Sequence, residues 1–363
     1  MSAAALCSWI GLSACGGGGG SAGSPSPGPS PSAPASLAAI DLAVLIAAGD
    51  ANSEAIGLAY QKARGIPNAN LIRVAVPSGS DTISASDFAT LKASIDAQLP
   101  ATTQATLLTW TQPSRVVGAC SMGITSAVAL GYDAKYCGAC SSPLGIAYYN
   151  TDTRKPWTDL KFRPSMMLGA ATLADAQTLI ARGVAADGSM LSSSAVTPQV
   201  WLVRSNDANR SVRYPDFQAL ATSGLAGVGL HYVDNSGGSG SNEVTGQTNV
   251  MVYLDSVDKL TQEASNQYLP GAIADTLTSY GGQLPVAQGQ MPITDWIKAG
   301  ATASYGTVEE PCNYTEKFSR ATVLVARYRK GETLIEAYWK SVQAPGQGLF
   351  IGEPLARPWA VPP

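Results

Sequence analysis

The stretch from residue 40 to residue 110 constrains the fold more than any other part of this 363-residue chain. Short apolar runs alternate there with amphipathic segments. Residues 40–48 (IDLAVLIAA) are apolar except for Asp41, as expected of a strand covered on both faces. A helix is expected next, capped at Asn52 or Ser53, running through EAIGLAYQKAR and stopped by Gly65 and Pro67. Residues 71–76 (LIRVAV) read as a second strand. Ser84-Ala85-Ser86-Asp87 opens a second helix through about residue 98, with Asp87 in the place of the usual glutamate of a capping box. Residues 105–110 (ATLLTW) make a third strand. Parallel strands need crossover connections and helices supply them, so this rhythm predicts an α/β fold: a mostly parallel sheet sandwiched between helices.

Residues 111–165 break the rhythm with Gly, Ser, Cys and Pro and read as a long irregular excursion. Beyond it, helices are expected at 174–182, 214–222 and 293–299, with one or two more within 320–342. Strands are expected at 199–204, 227–233, 250–254, 271–279 and 302–307. No sequence repeat is evident. The glycines near Gly49 lack the G-x-G-x-x-G spacing of a dinucleotide site, and no cofactor is expected.

The N-terminus reads differently. Residues 1–14 are apolar and uncharged, and Leu12-Ser13-Ala14-Cys15 resembles a bacterial lipobox, in which the cysteine thiol takes a diacylglycerol. Export signals begin with Lys or Arg, and none is present, so a start upstream of Met1 is expected. Residues 16–38 are linker. The low-complexity part, GGGGGSAGSPSPGPSPSAPAS, spans on the order of 25 Å by random-coil scaling. The expected organisation is a signal segment over 1–15, that linker, and one α/β domain over 39–363. A lipid would then hold the domain to a membrane of the cell envelope, outer membrane or periplasm-facing. About 325 residues are enough for a substantial core. A net charge of −3 supplies no basic footprint for nucleic acid, so the partners expected are the membrane and an unidentified protein or glycan.

Four cysteines remain past the signal region: Cys120, Cys137, Cys140 and Cys312. In an oxidising compartment an even number favours two disulfides, for which three pairings are open. A bridge from the excursion to Cys312 would close a loop of about 170 residues and constrain the unfolded chain most. With only one C-x2-C, the pattern falls short of a usual four-cysteine zinc site, and no metal is expected. Carboxylates gather at Glu309-Glu310, at Glu332 and Glu336 on one helix face, and at Glu353 in a Gly-Glu-Pro turn; solvated faces and helix caps are the expectation for these. Arg163 and Arg357 are expected to tie loops to carboxylates or to grip a ligand. A glycan-binding surface would require exposed aromatics such as Trp157, Trp296 and Trp339 to be grouped.

Several stretches carry a resemblance. AAGDANSEAIGLAYQKARGIPNANLIRV near the start, and PGAIADTLTSYGG, WIKAGATASYGTVEEPCNYTEKF, YRKGETLIEAYWKSV and GLFIGEPLARPWA in the last third, resemble a family of bacterial envelope proteins without an assigned activity. That family is distantly similar to the gingipain and caspase-like cysteine peptidases. The resemblance implies a three-layer caspase/gingipain-like arrangement, in which a histidine ends one strand and the nucleophile ends a neighbouring one. His231, the only histidine, and Ser279 are the matching positions, with Asp234 or Asp255 to orient the imidazole. No cysteine stands at the nucleophile position, and Tyr232 replaces the glycine that usually follows the histidine. The expectation is a binding or structural body; the alternative is a peptidase-like hydrolase using His231 with Ser279.

Overall fold

A computed structural model describes residues 36–191 and 195–362. Cys15 and nearly all of the linker lie outside the described residues. The first βαβαβ unit matches its sequence pattern: β1 (Leu42–Ala47), α1 (Ala51–Arg64), β2 (Leu71–Val74), β3 (Thr82–Ser84), α2 (Ala85–Gln98) and β4 (Ala105–Leu108). Asp50, two residues before the nearer expected cap, receives the amides of Asn52 and Ser53. A short side chain just before the first turn reaches back to those amides, whereas Asn52 and Ser53 are already inside the helix. Ser84 caps α2 as expected, accepting from the Asp87 amide at 3.1 Å while its hydroxyl donates to the Asp87 carboxylate at 2.7 Å.

The excursion holds β5 (Arg115–Val117), β6 (Ser121–Gly123), α3 (Ile124–Leu130) and α4 (Pro156–Leu160). It returns to the main sheet as β7 (Ser165–Met167), and α5 (Leu173–Ala186) leads into the second half. There follow β8 (Gln199–Arg204), α6 (Tyr214–Ala221), β9 (Gly229–Asp234), β10 (Val250–Asp255), β11 (Tyr268–Thr276), α7 (Ile293–Ala299) and β12 (Ala303–Thr307). The last elements are α8 (Ala321–Arg329), α9 (Leu334–Ser341) and β13 (Gly348–Gly352).

Ten strands form one sheet in the order β2-β1-β4-β7-β13-β12-β11-β10-β8-β9, while β3, β5 and β6 make a small separate sheet. Every residue of β1, β4, β10, β12 and β13 is buried. Burial along both alternating faces requires helices on both sides, so the architecture is a three-layer α/β sandwich. Among the described residues no helix is long and apolar enough to cross a membrane.

The sheet order contains a duplication that no sequence repeat announces. Counted along each half, strands run second, first, third, fourth: β2-β1-β4-β7 on one side and β9-β8-β10-β11 on the other. Neighbours within each half are parallel, β13 is parallel to β7, and β12 and β13 are antiparallel. The two halves therefore run in opposite directions. Their C-terminal strand ends, where α/β sheets present ligand sites, fall on opposite edges.

Candidate functional site

At the C-terminal edge of the second half, the loops after β8, β11 and β12 enclose a cleft of about 550 Å³. Asn209 and Arg210 follow β8, Ser279 follows β11, and Glu310 and Cys312 follow β12; Cys140 reaches in from the excursion. The last of these is held by a covalent bond, because Cys140 pairs with Cys312 (Cα–Cα 5.2 Å) and Cys120 pairs with Cys137 (5.7 Å). All three open pairings tie the irregular segment to Cys312, and the one found uses Cys140 for that tie. Cys137 and Cys140 do not pair with each other, so the C-x2-C carries no free dithiol. Among the described residues no three His, Cys, Asp or Glu side chains converge to hold a metal ion.

The carboxylate of Glu309 reinforces the seam, accepting from the backbone amides of Ser121 (3.3 Å) and Gly138 (3.1 Å). Lys317 donates to the Ala139 carbonyl at 2.9 Å, and burial lowers its pKa despite the nearby Glu309 and Glu310. Glu310 accepts from the Cys312 amide at 2.8 Å, and Arg210 is paired with Asp207 at 2.7 Å. Ser279 is nearly buried, its amide donating to Gln290 (2.7 Å) and its carbonyl accepting from Thr307 (3.0 Å). The cleft is thus a well-supported recess offering groups of both signs.

His231 is not part of it. The register sets His231 opposite Trp201, Trp201 opposite Tyr253, and Tyr253 opposite Ala274. Three strand spacings separate His231 from β11, roughly 14 Å, and Ser279 lies five residues past Ala274, about 17 Å further along. A general base must come within hydrogen-bond reach of its nucleophile, so the His231–Ser279 pair is corrected: two intervening strands hold them apart. His231 instead stacks on Trp201 at 4.1 Å and bonds Gln199 through Nε2 at 2.7 Å, with desolvation lowering its pKa. Asp234 does not orient it either. Three residues along a strand put Asp234 on the opposite face, where it meets Arg204 at 3.2 Å and hydrogen bonds from Ser236 hold its pKa down to about 2.

The strands that do neighbour β11 are β12 and β10, and β10 ends in Asp255. Asp255 is fully buried and accepts from Tyr253 Oη (2.7 Å) and from the Ser256 amide (2.6 Å). Desolvation pushes its pKa up to about 7 against the pull of those donors and of Arg213.

The other carboxylates singled out by sequence are neither solvated nor catalytic in geometry. Glu332, Glu336 and Glu353 are all fully buried. Glu332 meets Lys340 at 3.0 Å and Arg327 at 3.3 Å. Glu336 closes a capping box with Thr333 and also receives the Leu37 amide at 3.2 Å. Glu353 takes both arms of Arg64, at 2.9 and 2.5 Å, and the Tyr60 hydroxyl at 2.5 Å. Arg163 and Arg357 tie loops to carbonyls rather than to carboxylates: Arg163 to Thr103 at 2.9 Å, Arg357 to Leu37. Trp296 and Trp339 are fully buried, and Trp157 lies under the Arg163 guanidinium at 3.3 Å, so the three do not form a glycan platform.

Compared with protein-family models and with curated proteins, the chain matches none.

Proposed function

We propose that this chain is a lipid-anchored protein of the bacterial cell envelope whose α/β body works by binding at the Ser279 cleft, without covalent chemistry. The Leu-Ser-Ala-Cys15 sequence and the Gly/Ser/Pro linker supply the tether, and two disulfides in the body suit an oxidising compartment. Likeness of the GATASYGTVEEP and GEPLARP motifs to an envelope family supports the same placement. One observation carries the binding reading: of the two strands that flank Ser279's strand, β10 ends in a buried Asp255 bonded to Tyr253 and the Ser256 amide, and β12 ends in Thr307, which donates to the Ser279 carbonyl, so neither offers a histidine base. A serine without a base is a weak nucleophile. A serine-directed fluorophosphonate probe is therefore expected to leave the native protein unlabelled. Labelling that disappears in Ser279→Ala would overturn the reading.

A further inference from the structure

The opposite edge of the sheet carries a second recess. Loops after β4 and β7, with α5 and α7, enclose about 330 Å³ at the C-terminal edge of the first half. Ala170, Leu284, Pro285 and Ile297 give it an apolar wall, Gln112 and three threonines a polar one, and one guanidinium, that of Arg182, lines it.

Arg182, like Arg163 and Arg357, holds no carboxylate, and of these three it is the one that lines this recess. Arg64, Arg213 and Arg327 each hold a carboxylate within 3.3 Å. Arg182 makes one hydrogen bond, from Nη2 to the Ile297 carbonyl at 3.1 Å, and its Nε is buried without an acceptor. Desolvation lowers its pKa and no carboxylate offsets that. The two charged groups sharing the recess are otherwise engaged. Asp175 sits two helical turns away and accepts from Thr172 at 2.7 Å; Lys298 is paired with Asp295 at 2.9 Å. A half-desolvated guanidinium facing the recess has spare donors in a fork that matches a carboxylate.

We infer that this recess is a binding site for a compact organic monocarboxylate, its carboxylate on Arg182 and its apolar body against Leu284, Pro285 and Ile297. The volume lies at the small end of ligand pockets, which excludes polymers and favours a single ring or short chain. The site involves neither Cys15 nor the Ser279 cleft, so it stands or falls apart from the function proposed above.

Fluorine NMR of the full chain with 4-fluorobenzoate and its neutral analogue 4-fluorobenzamide tests it. The benzoate should bind at least about tenfold more tightly than the amide, the least that a charge-assisted contact contributes. Arg182→Gln should erase that difference, and Arg182→Lys should restore part of it. Ala171→Trp, at an exposed position on the mouth, keeps the guanidinium and should block both probes, which decides the matter if the Arg182 variants fail to fold. Equal binding of acid and amide, unchanged affinity in Arg182→Gln or in Ala171→Trp, or no binding of the benzoate to the native protein would each overturn the proposal.

Discussion

Replacing Cys140 and Cys312 together by alanine is expected to lower the unfolding free energy by about 5 kcal/mol. The bridge spans 172 residues of sequence, and in the chain-entropy model the cost of leaving the unfolded chain unlinked rises with the logarithm of that loop. The Cys120–Cys137 bridge spans 17 residues, and removing it should cost about 3 kcal/mol. The two losses should nearly add, since each constrains a different loop. Exposure separates the bridges as well: Cys140 is exposed whereas Cys120 and Cys137 are buried, so a mild reductant should open the longer loop first. Urea unfolding of the two double-alanine variants checks the ranking. A Cys140/Cys312 variant no less stable than the Cys120/Cys137 variant would contradict it. Opening this bridge also frees the excursion from one wall of the cleft, so ligand binding there should weaken along with stability.

Glu353→Ala should cost about 3–5 kcal/mol, because it leaves Arg64 buried with half of its carboxylate partners gone. Arg64 then retains Asp187, at 2.6 Å, while the Tyr60 hydroxyl loses its acceptor. The packing around Glu353 leaves little room to relax. At Gly183, in the last turn of α5, a Cβ would stand 2.4 Å from the Glu353 carboxylate, so a residue that ordinarily weakens a helix by up to about 1 kcal/mol is what lets α5 approach. Removing both partners should hurt less than the sum of the single losses, because the double variant no longer buries Glu353 without Arg64 and, of the charges, leaves only Asp187 without its partner. Urea midpoints for Glu353→Ala, Arg64→Ala and the double variant provide the cycle. Strict additivity would mean that the pair contributes through packing alone.

How much of this was legible in the sequence follows from how local each signal is. The βαβαβ opening could be read because apolar periodicity, the Ser84–Asp87 cap and the Gly65 stop act within a few residues of one another. β13 was not expected: Gly348–Gly352 is five residues bounded by glycines, and its strand character comes from pairing with β12, more than forty residues upstream. The opposed directions of the two halves rest on that same pairing. The GEPLARP motif stood out, but Glu353's partner Arg64 lies 289 residues away, and nothing in the motif points to it. For His231 and Ser279, strand ends could be located but not strand neighbours, and adjacency was the property the chemistry needed. The cysteine pairing was equally non-local. Gly138, at φ 112°, lies between Cys137 and Cys140, and the chain sends their side chains to different partners.

The function proposed above requires an exported, lipid-bearing chain whose body is oxidised. Its most direct test is the intact mass of the native protein, extracted from cells in detergent and alkylated under denaturing conditions without reductant. The expected species begins at Cys15, carries the diacylglycerol, and takes up no alkyl group at Cys120, Cys137, Cys140 or Cys312. An unlipidated chain retaining the residues before Cys15, alkylated at all four of those cysteines, would contradict it.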